Sequence, residues 1–114
     1  MFYTDDRLVY PRSEYGQPSL TIVVNDTNLD FFMTCGACPE QYDVFINDKQ
    51  VGYVRLRGGA LRAAYPDVEA DYTYEVYFDN VWKGCFEDDN ERDFYLDKIA
   101  EHLYNKFIES EVVR

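Results

Sequence analysis

Histidine occurs once in the 114 residues, at His102, and cysteine three times. So few ligating side chains leave little material for a metal centre or a nucleophilic triad. Three cysteines cannot all pair within one chain, which argues against a disulfide scaffold and for a reducing, cytoplasmic setting. Basic residues are outnumbered, 11 against 22 acids, for a formal net charge of −11. That balance excludes a basic nucleic-acid-binding module and a polybasic membrane binder. The longest apolar run is only a few residues, too short for a membrane-spanning helix. Met1 opens no visible secretory signal. There are no internal repeats, no linker and no low-complexity tract.

What is abundant is aromatic surface and negative charge. Aromatics make up 18% of the chain, with 11 Tyr and 8 Phe, and 46% of residues are hydrophobic. An acidic chain this rich in Tyr is a folded, β-leaning domain rather than a disordered acidic tail. Its length suits a single domain over residues 1–114, folding with roughly 65% of its surface hidden. The charge is unevenly spread. Residues 1–66 hold eight acids and six bases, residues 98–114 three of each, and residues 67–97 eleven acids and two bases. Nearly all the excess charge falls in one stretch, which asks for a reason beyond solubility.

Pro11, Gly16 and Pro18 mark residues 1–18 as an irregular N-terminal arm, with a short edge strand expected at Leu8–Tyr10. Leu20–Val24 reads as a strand, Asn25-Asp26-Thr27-Asn28 as a turn cluster, and Leu29–Thr34 as the returning strand. Cys35-Gly36-Ala37-Cys38-Pro39 reads as a tight loop. Tyr42–Ile46 and Val51–Arg57 alternate as a hairpin around Asn47-Asp48-Lys49, and Ala60–Tyr65 returns after Gly58-Gly59. In Tyr72–Phe78, alternation puts Tyr72, Tyr74, Val76 and Phe78 on one face. Asp71, Thr73, Glu75, Tyr77 and Asp79 fall on the other. Leu96, Ile99, Ala100, Leu103 and Phe107 fit one side of a C-terminal helix. Asp88 or Asp89 can cap it, and Asp88 with Glu91 has capping-box spacing. The expected fold is α+β: an antiparallel meander of about five strands with one C-terminal helix packed on it.

Several clusters bear on chemistry. Cys35 and Cys38, with Cys85 and His102, are the only possible Cys and His ligands for zinc. The spacing from Cys85 to His102 fits no second zinc knuckle, and Pro39 breaks a redox motif, so plain loop cysteines are the preferred reading. Glu87-Asp88-Asp89-Asn90-Glu91-Arg92-Asp93 lacks the central Gly of a calcium loop, and acids there complement a helix dipole. His102 lies mid-helix with no nucleophile at triad spacing. Arg55, Arg57 and Arg62 are expected to meet Glu75, Asp71 or Asp79 across strands. Trp82 either caps the core or stands exposed as an interface anchor.

Two resemblances accompany these residues. The hairpin Tyr42–Arg57, with its Val51-Gly52-Tyr53-Val54-Arg55-Leu56 run, resembles the central hairpin of GNAT acyltransferases. That resemblance implies an acetyl-CoA pyrophosphate loop at Trp82–Asp89, where a single Gly and three acids depart from the family's pattern. Second, Cys38-Pro39-Glu40-Gln41-Tyr42, the Val51–Arg57 run, and Glu87-Asp88 leading to Tyr95-Leu96 resemble uncharacterised short proteins of bacteriophages and mobile elements. This implies a bacterial host cell, where small acidic proteins inhibit defence nucleases, as anti-CRISPR and anti-restriction proteins do.

The resulting expectation is a non-enzymatic acidic inhibitor, needing neither metal nor cofactor. It would block a basic nucleic-acid-binding protein, such as a nuclease effector, by presenting a DNA-like surface, with no direct nucleic-acid or membrane binding of its own. Asp71, Glu75, Asp79, Glu87, Asp88, Asp89, Glu91 and Asp93 would stand in for phosphates, with Trp82 as an apolar anchor. The alternatives are a small GNAT-like enzyme or ligand binder with a degenerate acetyl-CoA site, and a structural or regulatory phage protein.

Overall fold

A computed structural model describes residues 15–34 and 39–112. The strand expected at Leu8–Tyr10, most of the N-terminal arm and the Cys35–Cys38 loop lie outside these residues. The described chain folds as β1 (Leu20–Val24), β2 (Thr27–Met33), β3 (Glu40–Ile46), β4 (Lys49–Arg57), β5 (Ala60–Ala64), β6 (Tyr72–Tyr77) and α1 (Asp89–Val112). The strands form one antiparallel sheet in sequential order, a meander of six strands rather than about five. The turns explain the simple topology. Asn25 and Asp26, and likewise Gly58 and Gly59, have positive φ, as tight two-residue hairpin turns require.

The helix lies on one face of the sheet. Leu96, Ile99, Ala100 and Leu103 share a buried cluster with Phe31, Tyr42, Val44, Val54, Leu56 and Leu61, and Phe107 packs at its margin. Gly52 makes the close approach possible, since a Cβ there would lie 2.4 Å from Leu103 Cδ1. The opposite face carries a smaller aromatic cluster. Tyr15 packs on Phe32 and Phe45, each ring centroid 5.1 Å away, and donates a hydrogen bond to Asp43. Burial pushes the Asp43 carboxyl above its ordinary pKa, partly offset by the Tyr15 and Gln50 hydrogen bonds.

Two bulges interrupt the alternation. Val44 pairs with Gly52 and Phe45 with Gln50, leaving Val51 as an extra residue in β4. Ala63 pairs with Tyr74 and Ala64 with Tyr72, leaving Thr73 as an extra residue in β6. The second bulge corrects the expected faces of β6. Tyr72 sits on the face away from α1, with Arg62 over its ring at 5.7 Å, while Thr73 meets His102 Nε2 on the helix at 2.7 Å.

Candidate partner-binding surface

In a meander, the end of β2, the start of β3, the β4–β5 turn and the end of β6 all lie at one end of the sheet. The segment from Asp79 to Asp88 crosses that end and delivers the chain to α1. Three backbone hydrogen bonds hold it there. Phe78 N–H donates to the Gly59 carbonyl at 2.8 Å, Gly59 N–H to the Lys83 carbonyl at 2.9 Å, and Glu40 N–H to the Gly84 carbonyl at 2.7 Å. Gly59 must be glycine, because a Cβ there would lie 2.7 Å from the Asn80 carbonyl oxygen, at a φ of 77°. Glu40 adds a side-chain anchor by accepting the Phe86 N–H at 3.0 Å and the Tyr42 hydroxyl. Burial, reinforced by the Glu40 carboxylate, holds the Tyr42 phenol in its protonated form.

The helix start takes its form from the acids themselves. Asp88 Oδ1 accepts the Glu91 N–H at 2.8 Å, and Glu91 Oε1 accepts the Glu87 N–H at 2.7 Å. This is a capping box in which the returning carboxylate reaches one residue before the cap. Lys83, only 10% exposed, reaches Glu91 at 3.0 Å and lies 5.2 Å from the centre of the Phe78 ring. Arg92 bonds Asp93 at 3.0 Å and approaches Asp89 at 3.4 Å. Thus Glu91 is committed to the fold, and Asp89 and Asp93 share one guanidinium.

The nine residues singled out from the sequence do not form a single cluster. Asp79, Trp82, Glu87, Asp88, Asp89 and Glu91 come together along the sheet end and the first turn of α1, with Asp93 one turn further on. Asp71 precedes β6 at the other end of the sheet, roughly 25 Å of strand away from Asp79. The bulge at Thr73 also breaks the alternation that would have aligned Asp71 with Glu75. Glu75 lies mid-strand on the face away from the helix, bonded to Arg62 Nε at 2.8 Å. Of the three arginines expected to meet acids across strands, only Arg62 does so among the described residues; Arg55 pairs in register with Arg62 instead.

Trp82 is 87% exposed, and its neighbour Val81 is also exposed. Asp79 and Glu87, which bracket this pair in sequence, are exposed and make no ion pair among the described residues. Sequence reading missed Glu40, Lys83 and Arg92 as the groups that organise the segment. Arg92 was legible from its i+3 spacing to Asp89, whereas Glu40 acts across 46 residues of sequence with no local signal.

A cleft of about 340 Å³ opens beside the helix start, lined by Met33, Glu40, Cys85, Phe86, Glu87, Asp88, Asp89 and Arg92. An anion would need the amides here, but those of Phe86, Glu87 and Glu91 are already bonded to carboxylates. This does not favour a pyrophosphate site. Cys85 is disulfide-bonded, so the cysteine count misled on that residue. Among the described residues no group of three His, Cys, Asp or Glu is placed to hold a metal. His102 lies roughly 20 Å along α1 from its first residue. It bonds Thr73 and packs on Tyr74, and burial aided by Lys106 lowers its pKa. No helix among the described residues is long and apolar enough to cross a membrane. No family model matches the chain, and searches of curated proteins and of solved structures return no match.

Proposed function

We propose that the protein is a non-enzymatic inhibitor that occupies the nucleic-acid groove of a basic host protein. The observation that carries this reading is the segment across the sheet end, where an 87% exposed Trp82 stands between Asp79 and Glu87, exposed acids that make no ion pair among the described residues, and leads into Asp88, Asp89 and Asp93. A groove that grips DNA is lined with Lys and Arg matched to phosphates spaced a few ångströms apart. Carboxylates held by a capped helix and a pinned loop offer such charges on a rigid frame. Trp82 adds an apolar anchor of the kind that dominates interface energetics. A decoy of this form associates fast and weakens with salt. The resemblance to phage and mobile-element proteins supports a defence nuclease of the bacterial host, of the CRISPR or restriction class, as the partner.

The test neutralises charge without removing the cap. Asp79→Asn, Glu87→Gln and Asp88→Asn together keep an N-cap oxygen at residue 88. Partners captured by the wild type in low salt, and displaced by DNA, should be lost by this variant and by Trp82→Ala. Equal capture by all three proteins would sink the reading. A GNAT-like ligand binder would instead be stabilised by millimolar acetyl-CoA, seen as a rise in Tm.

A further inference from the structure

A second feature lies at one of the two edges of the sheet, along β1. β1 pairs only with β2 and ends the sheet, so the hydrogen-bonding groups on its outer side meet no described strand. The strand itself carries neither of two usual protections of such an edge, since Leu20-Thr21-Ile22-Val23-Val24 contains no Pro and no charge. The helix-facing residues Leu20, Ile22 and Val24 are only partly buried, whereas Leu29 and Phe31 opposite them on β2 are fully buried. A groove of about 430 Å³ runs between this edge and α1, lined by Leu20 to Val23, Arg92, Asp93 and Asp97.

We propose that this groove takes an extended, basic segment of a partner protein as a seventh strand beside β1. Main-chain groups supply the pairing in this mode, and alternate side chains supply the selectivity. On the helix side, Lys or Arg stems lie along Leu20 and Ile22 and carry their charge to Asp93 and Asp97. Arg92 does not reverse this, because Asp89 and Asp93 together outweigh its single charge and Asp97 adds a further carboxylate to the groove. On the other side, apolar residues cover Val23, which is 61% exposed. The charge pattern selects this occupant over a second copy of β1. Self-pairing would join two molecules of net charge −11 with their acidic helix starts close by. The inference goes beyond the decoy reading, since it rests on an open edge and its groove rather than on the sheet end.

The probe is a ten-residue peptide alternating lysine and valine, titrated into the full chain while amide hydrogen exchange is followed by NMR. Binding with about tenfold slower exchange confined to residues 20–24 supports the proposal. Methylating alternate peptide nitrogens, in the two possible phases, should abolish binding in one phase only. Asp97→Lys, at an exposed position that makes no ion pair among the described residues, should weaken binding at least about fivefold at a nearly unchanged Tm. Binding indifferent to methylation in both phases overturns strand addition. Equal binding of a glutamate–valine peptide overturns the charge selection. Protection of β1 in the free protein, with a dimer by sedimentation, assigns the edge to a second copy and overturns the proposal. Failure here would leave capture through Asp79, Glu87 and Asp88 unaffected, so the two readings fail separately.

Discussion

His102 shows how one side chain ties pH to stability. It is half-buried between Thr73 and Tyr74 of β6 on one side and Lys106 and Glu109 of its own helix on the other, and burial depresses its pKa. The unfolded chain therefore binds a proton at higher pH than the folded one. Stability from this residue is present above the unfolded pKa of about 6.5 and falls as pH drops below it. Urea midpoints at pH 7.5 and 5.5 should show a smaller acid loss for His102→Gln than for the wild type. Two glycines make sharper predictions. Gly52→Ala forces a Cβ into Leu103, which is fully buried, and should cost about 1–3 kcal/mol by overpacking. Gly59→Ala meets backbone atoms of Asn80 and Val81 at positive φ, and should cost at least about 1 kcal/mol while loosening the segment that carries Trp82. Both costs are read from urea unfolding.

At the scale of elements, the first turn of α1 is capped by its own carboxylates. Asp88→Ala removes the cap and should cost about 1 kcal/mol, whereas Asp88→Asn should leave stability nearly unchanged. Comparing their urea midpoints separates the structural role of this acid from its charge. The hairpins were legible because turn residues and alternation agree in β1–β2, β3–β4 and β4–β5, and the helix because Leu96, Ile99, Ala100 and Leu103 keep its period. The face of Tyr72 was not legible. Alternation has period two, and one extra residue at Thr73 reverses every assignment before it. The same bulge undoes the expected alignment of Asp71 with Glu75. The pinning of the acidic segment by Glu40 was hidden for another reason: a long-range side-chain bond leaves no periodic trace.

For the whole molecule, the net charge of −11 is arranged rather than spread. Part of it is spent on internal bonds to Arg62, Lys83 and Arg92, and the sheet end keeps exposed Asp79 and Glu87 around Trp82. The concentration of acids in residues 67–97 was visible in the sequence. Its division between the two ends of β6 depended on strand order and direction. Trp82→Ala should leave Tm unchanged, since the ring is 87% exposed, yet reduce partner affinity by at least about 2 kcal/mol as an interface anchor. The central claim is tested most directly by capturing partners from bacterial lysate on the immobilised protein at low and high salt, with DNA as competitor. The same capture is run with Trp82→Ala and with the Asp79→Asn, Glu87→Gln, Asp88→Asn variant. The account predicts a basic nucleic-acid-binding enzyme, released by DNA or salt and absent from both variants. Partners indifferent to DNA and salt, or retained by both variants, would contradict it.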